Sequence, residues 1–157
     1  VSNLATEGDP EAVRFPRYRA KDGSLDFSFS GLKTAVLYFL KGPGQKRDAP
    51  DRPDLDVSRV DVAASFERAV VDVLSKNSLE AAKREGAKDL VIGGGVAANR
   101  ELRRLLQERA PGDLRVRIPS TKLCTDNGAM IALRGAQLLE LGRTSDLALD
   151  CHATGTA

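Results

Sequence analysis

The sequence predicts an α/β fold with a largely parallel sheet. Short apolar segments typical of strands alternate with longer segments whose apolar residues have helical spacing, and the connections between them are short. About three or four strands can be recognised, which is few for a closed doubly wound domain. The pattern therefore fits one half of a two-lobed protein better than a complete enzyme.

The first predicted strand is followed closely by a helix. Apolar residues occupy every second position of residues 25–30, which predicts a half-buried strand. They then recur at helical spacing over residues 32–41, with Ser30 as the expected N-cap. Residues 42–53 contain three prolines together with glycines and charged residues, so we predict an exposed, flexible loop there.

The rest of the chain continues the alternation of helices and strands. Helical periodicity, short β-branched segments and Pro or Gly stop signals delimit each element. In order, we predict a long helix over 57–86 with an interruption near 77–78, a buried strand over 89–92, a helix ended by Pro111, a strand over 114–118 and a final helix over 125–142.

Composition and charge are those of one soluble domain. The 157 residues are 41% hydrophobic and 29% charged, and the formal net charge of +2 permits a nucleic-acid partner without requiring one. No segment approaches the roughly 18 consecutive apolar residues of a membrane-spanning helix, so we expect no membrane association and a cytoplasmic location. Cys124 and Cys151 form no CxxC motif, which favours reduced thiols.

The two ends of the chain carry little structural signal. The sequence begins with Val1 rather than methionine, its first seven residues do not have the pattern of a signal peptide, and it shows no clear element before about residue 24. We therefore expect a trimmed form or a part of a longer protein. The tail over 149–157, which contains the single histidine, His152, follows no recognisable pattern.

A glycine-rich loop is the strongest functional signal in the residues themselves. Gly93, Gly94 and Gly95 follow a predicted strand and precede a helix, and such a loop lets a nucleotide approach bare backbone and helix N–H groups. The segment matches neither GxGxxG nor GxxxxGK[ST]. The amide of Asn99 could bind a ribose hydroxyl or a base edge, and helix capping is an equally good interpretation of its spacing.

A second strand-to-helix junction contains Asp126. A carboxylate at a helix start either caps free N–H groups, which the spacing alone favours, or contributes to a metal site. A metal needs several converging ligands, and the chain cannot supply a complete set. Cys124 has no histidine partner nearby, so an unreactive thiol is the better interpretation.

Residues 100–117 form the segment of the chain that is richest in arginine. A solvated helix face is the favoured interpretation of such a charge run, and a phosphate-binding patch is the alternative.

Three motifs together resemble the TsaD family in their order and spacing. They are Phe27-Ser28-Phe29-Ser30-Gly31-Leu32-Lys33-Thr34, Gly93-Gly94-Gly95-Val96-Ala97-Ala98-Asn99-Arg100 and Cys124-Thr125-Asp126-Asn127-Gly128-Ala129-Met130-Ile131-Ala132. The resemblance covers about residues 1–148 and corresponds to the C-terminal half of such a protein. It implies one lobe of the two-lobed ASKHA (actin/Hsp70/sugar-kinase-like) fold.

The resemblance implies acyl transfer on tRNA. The family moves a threonylcarbamoyl group from threonylcarbamoyl-adenylate to N6 of an adenosine beside the anticodon of tRNAs that read ANN codons, and it releases AMP. By resemblance, Gly94, Gly95 and Asn99 line the adenylate pocket, and Asp126 is a ligand of a divalent metal, iron or zinc. No role follows for Ser30 or Lys33, and no catalytic residue can be named.

The same resemblance implies partners and a missing part. TsaB-like and TsaE-like proteins are the expected protein partners, and the arginine-rich segment over 100–117 is a candidate for contact with tRNA. The HxxxH histidine pair that completes the metal site is absent from this sequence, so we expect the chain alone to be inactive. The alternatives are a non-catalytic interaction module, a metallopeptidase as in an older label of the family, and a sugar kinase or ATPase. The absence of HExxH argues against the peptidase.

Overall fold

A computed structural model describes residues 1–148, so the predicted tail over 149–157 lies outside the described residues. The chain divides into two compact units, the first over Val1–Cys124 and the second beginning at Thr125. Each unit is described by itself. The fold is mixed α/β, mostly helical, with a small parallel sheet.

The first unit contains four α-helices, two strands and two 3-10 turns, and the second contains one helix. In chain order these are α1 (Ser2–Ala5), α2 (Ser30–Lys41), α3 (Arg59–Arg84), β1 (Asp89–Val91), a turn over Gly95–Ala98, α4 (Arg100–Arg109), β2 (Arg115–Arg117), a turn over Thr121–Leu123 and, in the second unit, α5 (Gly128–Glu140). None of the helices described within residues 1–148 is both long and apolar enough to cross a membrane.

The sheet has two parallel strands. Leu90 of β1 lies opposite Val116 of β2, so the strands predicted over 89–92 and 114–118 are confirmed with shorter bounds. Helix α4 connects the two strands, because neighbouring parallel strands need a crossover element between them.

The strand predicted over 25–30 is wrong. Phe27 and Phe29, which produced the alternating pattern, stack on each other with ring centroids 6.4 Å apart, and Phe27 is 49% exposed. The carbonyl of Leu25 accepts a hydrogen bond from Asn77 Nδ2 at 3.1 Å. Alternation therefore marked an aromatic pair on an extended segment that is held by a side chain, not one buried face of a sheet.

Helix α3 continues through residues 77–78, where an interruption was predicted. Asn77 directs its amide away from its own helix, to the carbonyls of Leu25 and Asp26. Its side chain therefore does not compete for the backbone groups of α3, which is how asparagine usually weakens a helix. Ser58 caps the helix, accepting a hydrogen bond from the N–H of Asp61.

The first two helices of the chain differ from the predictions. The N-cap of α2 is Phe29, which provides no side-chain bond, and Ser30 is the first helical residue. Helix α1 was not predicted at all, because four residues are too few to show a helical period.

Helix α3 contributes to both hydrophobic clusters of the first unit. The first cluster consists of Phe15, Leu32, Val62 and Ala69, and the second of Val71, Leu102, Leu105 and Leu106. The first joins α3 to α2 and the N-terminal segment, and the second joins α3 to α4. The sheet packs on the second cluster through partly buried Leu90 and Val116.

Three arginines converge on Asp72 of α3. Arg109 lies 2.8 Å, Arg17 3.2 Å and Arg68 3.4 Å from its carboxylate oxygens. Burial by itself raises the pKa of the Asp72 carboxyl, but the hydrogen bonds from Arg109 and Arg17 and the charge of Arg68 outweigh it, so the pKa lies below its ordinary value. The carboxylate thus ties the N-terminal segment and the end of α4 to α3.

Replacing Leu106 by alanine tests the second cluster. Leu106 is fully buried (0% exposed), so Leu106→Ala should lower the free energy of unfolding by about 3 kcal/mol through lost apolar burial and the resulting cavity. Leu123→Ala, at a side chain that is 50% exposed, should change it by about 0.5 kcal/mol or less. Urea unfolding of both variants measures the difference, and equal losses would contradict this core assignment.

The Asp72 contacts predict a pH-dependent contribution to stability. Because its pKa is lower in the folded than in the unfolded chain, the contribution is complete above the unfolded pKa of about 3.9 and disappears as pH falls through the folded pKa. Asp72→Asn should therefore cost about 2 kcal/mol at pH 7 and progressively less below about pH 4. Asp113→Asn, at an exposed carboxylate beside Lys88, is the matched control in urea unfolding. A pH-independent loss would contradict the assignment.

Candidate functional site

The glycine-rich loop lies immediately after β1, at the carboxyl end of the parallel pair. Ile92 N–H still donates to the carbonyl of Arg117 at 3.0 Å, and the ladder ends there. Gly94 has φ of +84°, a left-handed conformation that strains any residue with a Cβ atom. The chain then makes the 3-10 turn over Gly95–Ala98 before α4 begins, so the predicted strand–glycine–helix junction is confirmed.

A cleft of about 780 Å³ lies beside this loop. Gly95 and Asn99 line it, whereas Gly94 does not. The opposite walls come from α1 and from α3, so the first unit alone builds the cleft. Its polar lining includes Ser2, Thr6, Glu67, Arg68, Arg100 and Glu101.

Asn99 is held at both ends of its amide. Its Oδ1 accepts a hydrogen bond from the N–H of Leu102 at 2.8 Å, which confirms the capping interpretation. Its Nδ2 donates to Glu67 Oε1 at 2.7 Å and to Ser2 Oγ at 3.1 Å. Capping uses the oxygen only, so the nitrogen end of the same side chain faces Glu67 and Ser2 of the cleft.

Glu101 and two arginines form the charged rim of the cleft. Arg104 lies 2.7 Å and Arg68 3.1 Å from Glu101 Oε1, and Arg104 also pairs with Glu108 at 2.5 Å. The hydrogen bond from Arg104 lowers the pKa of the Glu101 carboxyl, against the opposing effect of burial, and the charge of Arg68 adds to the lowering. The same pair raises the pKa of Arg104, so the rim keeps both charges over the ordinary pH range.

Arg103 fixes the far side of the glycine-rich loop. Its Nε donates to the carbonyl of Ala97 at 2.6 Å, and its terminal nitrogen donates to the carbonyl of Pro119 at 2.6 Å and to Cys124 Sγ at 3.1 Å. Cys124 is a free, buried thiol. Sequence reasoning placed Arg103 only in a charge run, because its carbonyl partners are not encoded in any motif.

Most other arginines of residues 100–117 also have partners inside the chain. Those partners are acidic side chains: Arg104 pairs with Glu101 and Glu108, Arg109 with Asp72, and Arg115 and Arg117 with Asp89. Within residues 1–148, Arg100 alone of this segment makes neither an ion pair nor a side-chain hydrogen bond. Contact of the segment with tRNA stays a prediction, with less uncompensated charge than the sequence suggested.

Asp126 lies in the second unit, exposed at the approach to α5. The favoured capping interpretation is wrong, because Asn127 is the N-cap and its Oδ1 accepts from the N–H of Met130 at 3.1 Å. Among the described residues no side chain or backbone group donates to the Asp126 carboxylate. Over residues 1–148, no three His, Cys, Asp or Glu side chains are grouped so as to hold a metal ion.

Ser30 and Lys33 do not line the cleft. Both lie in the first turn of α2, where Ser30 accepts a hydrogen bond from Thr34 Oγ1 through its carbonyl at 3.1 Å. His152, the single histidine, lies outside the described residues.

Comparison with known proteins identifies the family. The protein-family model described as "TsaD: tRNA N6-adenosine threonylcarbamoyltransferase" matches residues 1–133 of this chain. The chain belongs to the TsaD family. Members of this family have the ASKHA fold, as the resemblance implied. This chain forms a mixed α/β part of that fold.

Curated relatives agree over nearly the whole chain. Proteins named tRNA N6-adenosine threonylcarbamoyltransferase are 44% identical over 154 residues in Syntrophotalea carbinolica, 45% over 155 residues in Trichlorobacter lovleyi and 42% over 154 residues in Staphylococcus aureus strain Newman. Each alignment covers 98% of this chain and 43% of the relative. The chain thus spans less than half the length of these TsaD relatives.

Substitutions at Asn99 separate its two contacts. Asn99→Ala removes the cap of α4 and leaves Glu67 without its donor, so the free energy of unfolding should fall by about 2 kcal/mol. Asn99→Ser keeps a capping oxygen and should recover about 1 kcal/mol of that loss. Thermal and urea unfolding measure both. If serine recovers nothing, the cap contributes less than its geometry implies.

Proposed function

We propose that this chain is the C-terminal half of a tRNA N6-adenosine threonylcarbamoyltransferase and that its cleft binds the adenylate part of threonylcarbamoyl-adenylate. The observation that carries the proposal is the family match over residues 1–133, together with relatives of that name at 42–45% identity. The matching description is that of a transferase, so the peptidase alternative is not proposed.

The proposed reaction is an acyl transfer. N6 of the tRNA adenosine attacks the carbonyl carbon of the threonylcarbamoyl group, a new N–C bond forms, and the bond from that carbon to the phosphate oxygen breaks. AMP leaves with the bonding electron pair, and N6 loses one proton. The residues of this chain would bind and orient the leaving nucleotide, which lowers the entropy cost of bringing donor and acceptor together.

The cleft supports nucleotide binding by its shape and its lining. Its volume of about 780 Å³ is in the range of small-molecule sites, and Gly95 gives access to backbone without a side chain in the way. Asn99 supplies a fixed amide at the same wall. Gly94 does not line the cleft itself. Its left-handed conformation turns the chain so that the next residue, Gly95, forms part of the cleft wall.

A metal ion would need residues beyond those described. Asp126 is the candidate ligand that the resemblance implies, and its exposed carboxylate is uncommitted to other described groups. One carboxylate does not supply the coordination number of iron or zinc, and the sequence lacks an HxxxH pair. The residues of this chain therefore do not by themselves form the metal site, and we derive no step of the reaction through a metal.

The proposed partners are tRNA and TsaB-like and TsaE-like proteins. Helix α5 has exposed apolar side chains, Ile131 at 74% and Leu139 at 66%, and none of its residues is buried. Such a helix suits a protein contact, so docking of a partner protein is a second candidate function for this unit.

Pull-down of a TsaB-like protein by wild type and by Ile131→Asp tests this docking role. The variant should capture less of the partner, because a charged side chain replaces an apolar one on α5, and undiminished capture would argue against α5 as the contact.

Asp126→Ala tests the proposed ligand. In the protein at its full encoded length, the variant should lose threonylcarbamoyl transfer to tRNA by at least about a hundredfold. Its far-UV spectrum should be unchanged, and after metal removal with a chelator its melting temperature should equal that of metal-free wild type, since the side chain bonds to no described group. Its bound iron and zinc, measured by elemental analysis, should fall. Asp146→Ala, an exposed carboxylate of the same unit, should keep both. Full transfer by Asp126→Ala would contradict the assignment.

A further inference from the structure

Glu67 and Asn99 present a matched donor and acceptor in the cleft. Asn99 Nδ2 donates to Glu67 Oε1 at 2.7 Å, and the same nitrogen donates to Ser2 Oγ at 3.1 Å. A hydroxyl that sits beside both can accept from the amide and donate to the carboxylate. The Ser2 hydroxyl already occupies the accepting position.

The two contacts of the Asn99 nitrogen are not equivalent. The bond to Glu67 is short and partly buried, between α4's N-cap and the middle of α3, where the helix packs on both hydrophobic clusters. The bond to Ser2 is longer and exposed, and Ser2 lies on a four-residue helix. The exchangeable partner is therefore Ser2, because a ligand hydroxyl can replace it without disturbing the core.

We propose that Glu67 and Asn99 together bind a ribose hydroxyl of the adenylate, which displaces the Ser2 hydroxyl, and that Glu67 is the residue that sets specificity for ribose. The inference rests on the proposed function and adds the sugar as the part of the ligand recognised here. Asn99 gives its nitrogen hydrogen to the hydroxyl oxygen, and the hydroxyl gives its own hydrogen to the Glu67 carboxylate.

The carboxylate of Glu67 determines which end of the nucleotide binds at this wall of the cleft. A carboxylate accepts hydrogen bonds only, so it favours a hydroxyl or an amino group and repels a phosphate. The first-choice partner for a carboxylate next to an amide donor is a group that both donates and accepts, and the ribose hydroxyls are such groups. A phosphate would instead meet cations such as Arg100, which also lines the cleft.

Binding of AMP and its deoxy analogues tests the inference. By calorimetry on the full-length protein, wild type should bind AMP about tenfold more tightly than 2′-deoxy-AMP or 3′-deoxy-AMP, whichever lacks the recognised hydroxyl. Glu67→Gln should weaken AMP binding about tenfold and reduce that preference to about one. Glu7→Gln, the same change outside the cleft lining, should leave affinity and preference unchanged.

Ser2→Ala provides the second arm, because it removes the competing hydroxyl and keeps Glu67. It should bind AMP as tightly as wild type or up to about threefold more tightly, with the ribose preference intact. Unfolding curves of every variant exclude loss of fold as the cause. Glu67→Gln with an undiminished preference would overturn the inference and leave the proposed function standing. Wild type that binds none of the three nucleotides would overturn both.

Discussion

The packing of α3 against two separate hydrophobic clusters is the constraint on which the first unit depends. Val62 and Ala69 bury their side chains in the first cluster, and Val71 buries its side chain in the second. The turns of α3 that carry these residues cannot shift without disturbing a cluster, because closely packed interiors resist displacement. The ion pairs of Asp72 add a polar connection on the same helix, from the N-terminal segment to the end of α4.

The position of α3 determines the geometry of the cleft. Glu67 and Val71 are four residues apart, so they lie on neighbouring turns of one face of α3. Val71 is buried with Leu105 and Leu106 of α4, while Glu67 reaches the N-cap of the same α4 through Asn99. The contact between two helices therefore fixes the position of the candidate binding group, and no flexible loop has to adjust for it.

Periodicity predicted helices α2 to α5 and the parallel pair because those patterns report which side chains face a core. The strand over 25–30 failed because Phe27 and Phe29 alternate like a buried face but stack on each other, and sequence alone does not say what an aromatic ring meets. Sequence alone also could not predict which specific backbone groups a side chain binds. Arg103 reads as one charge among several, yet it binds the carbonyls of Ala97 and Pro119.

Asn99 shows why capping and binding need not compete as interpretations of one residue. An amide has an acceptor at one atom and two donors at another, and the cap of α4 uses only the acceptor. Fixing the oxygen on Leu102 also fixes the direction of the nitrogen, so the structural contact orients the donors toward Glu67 and the cleft. An aspartate in this place could cap the helix equally well, but it would bring a second carboxylate against Glu67 and offer no donor. The side chain that satisfies both demands is asparagine.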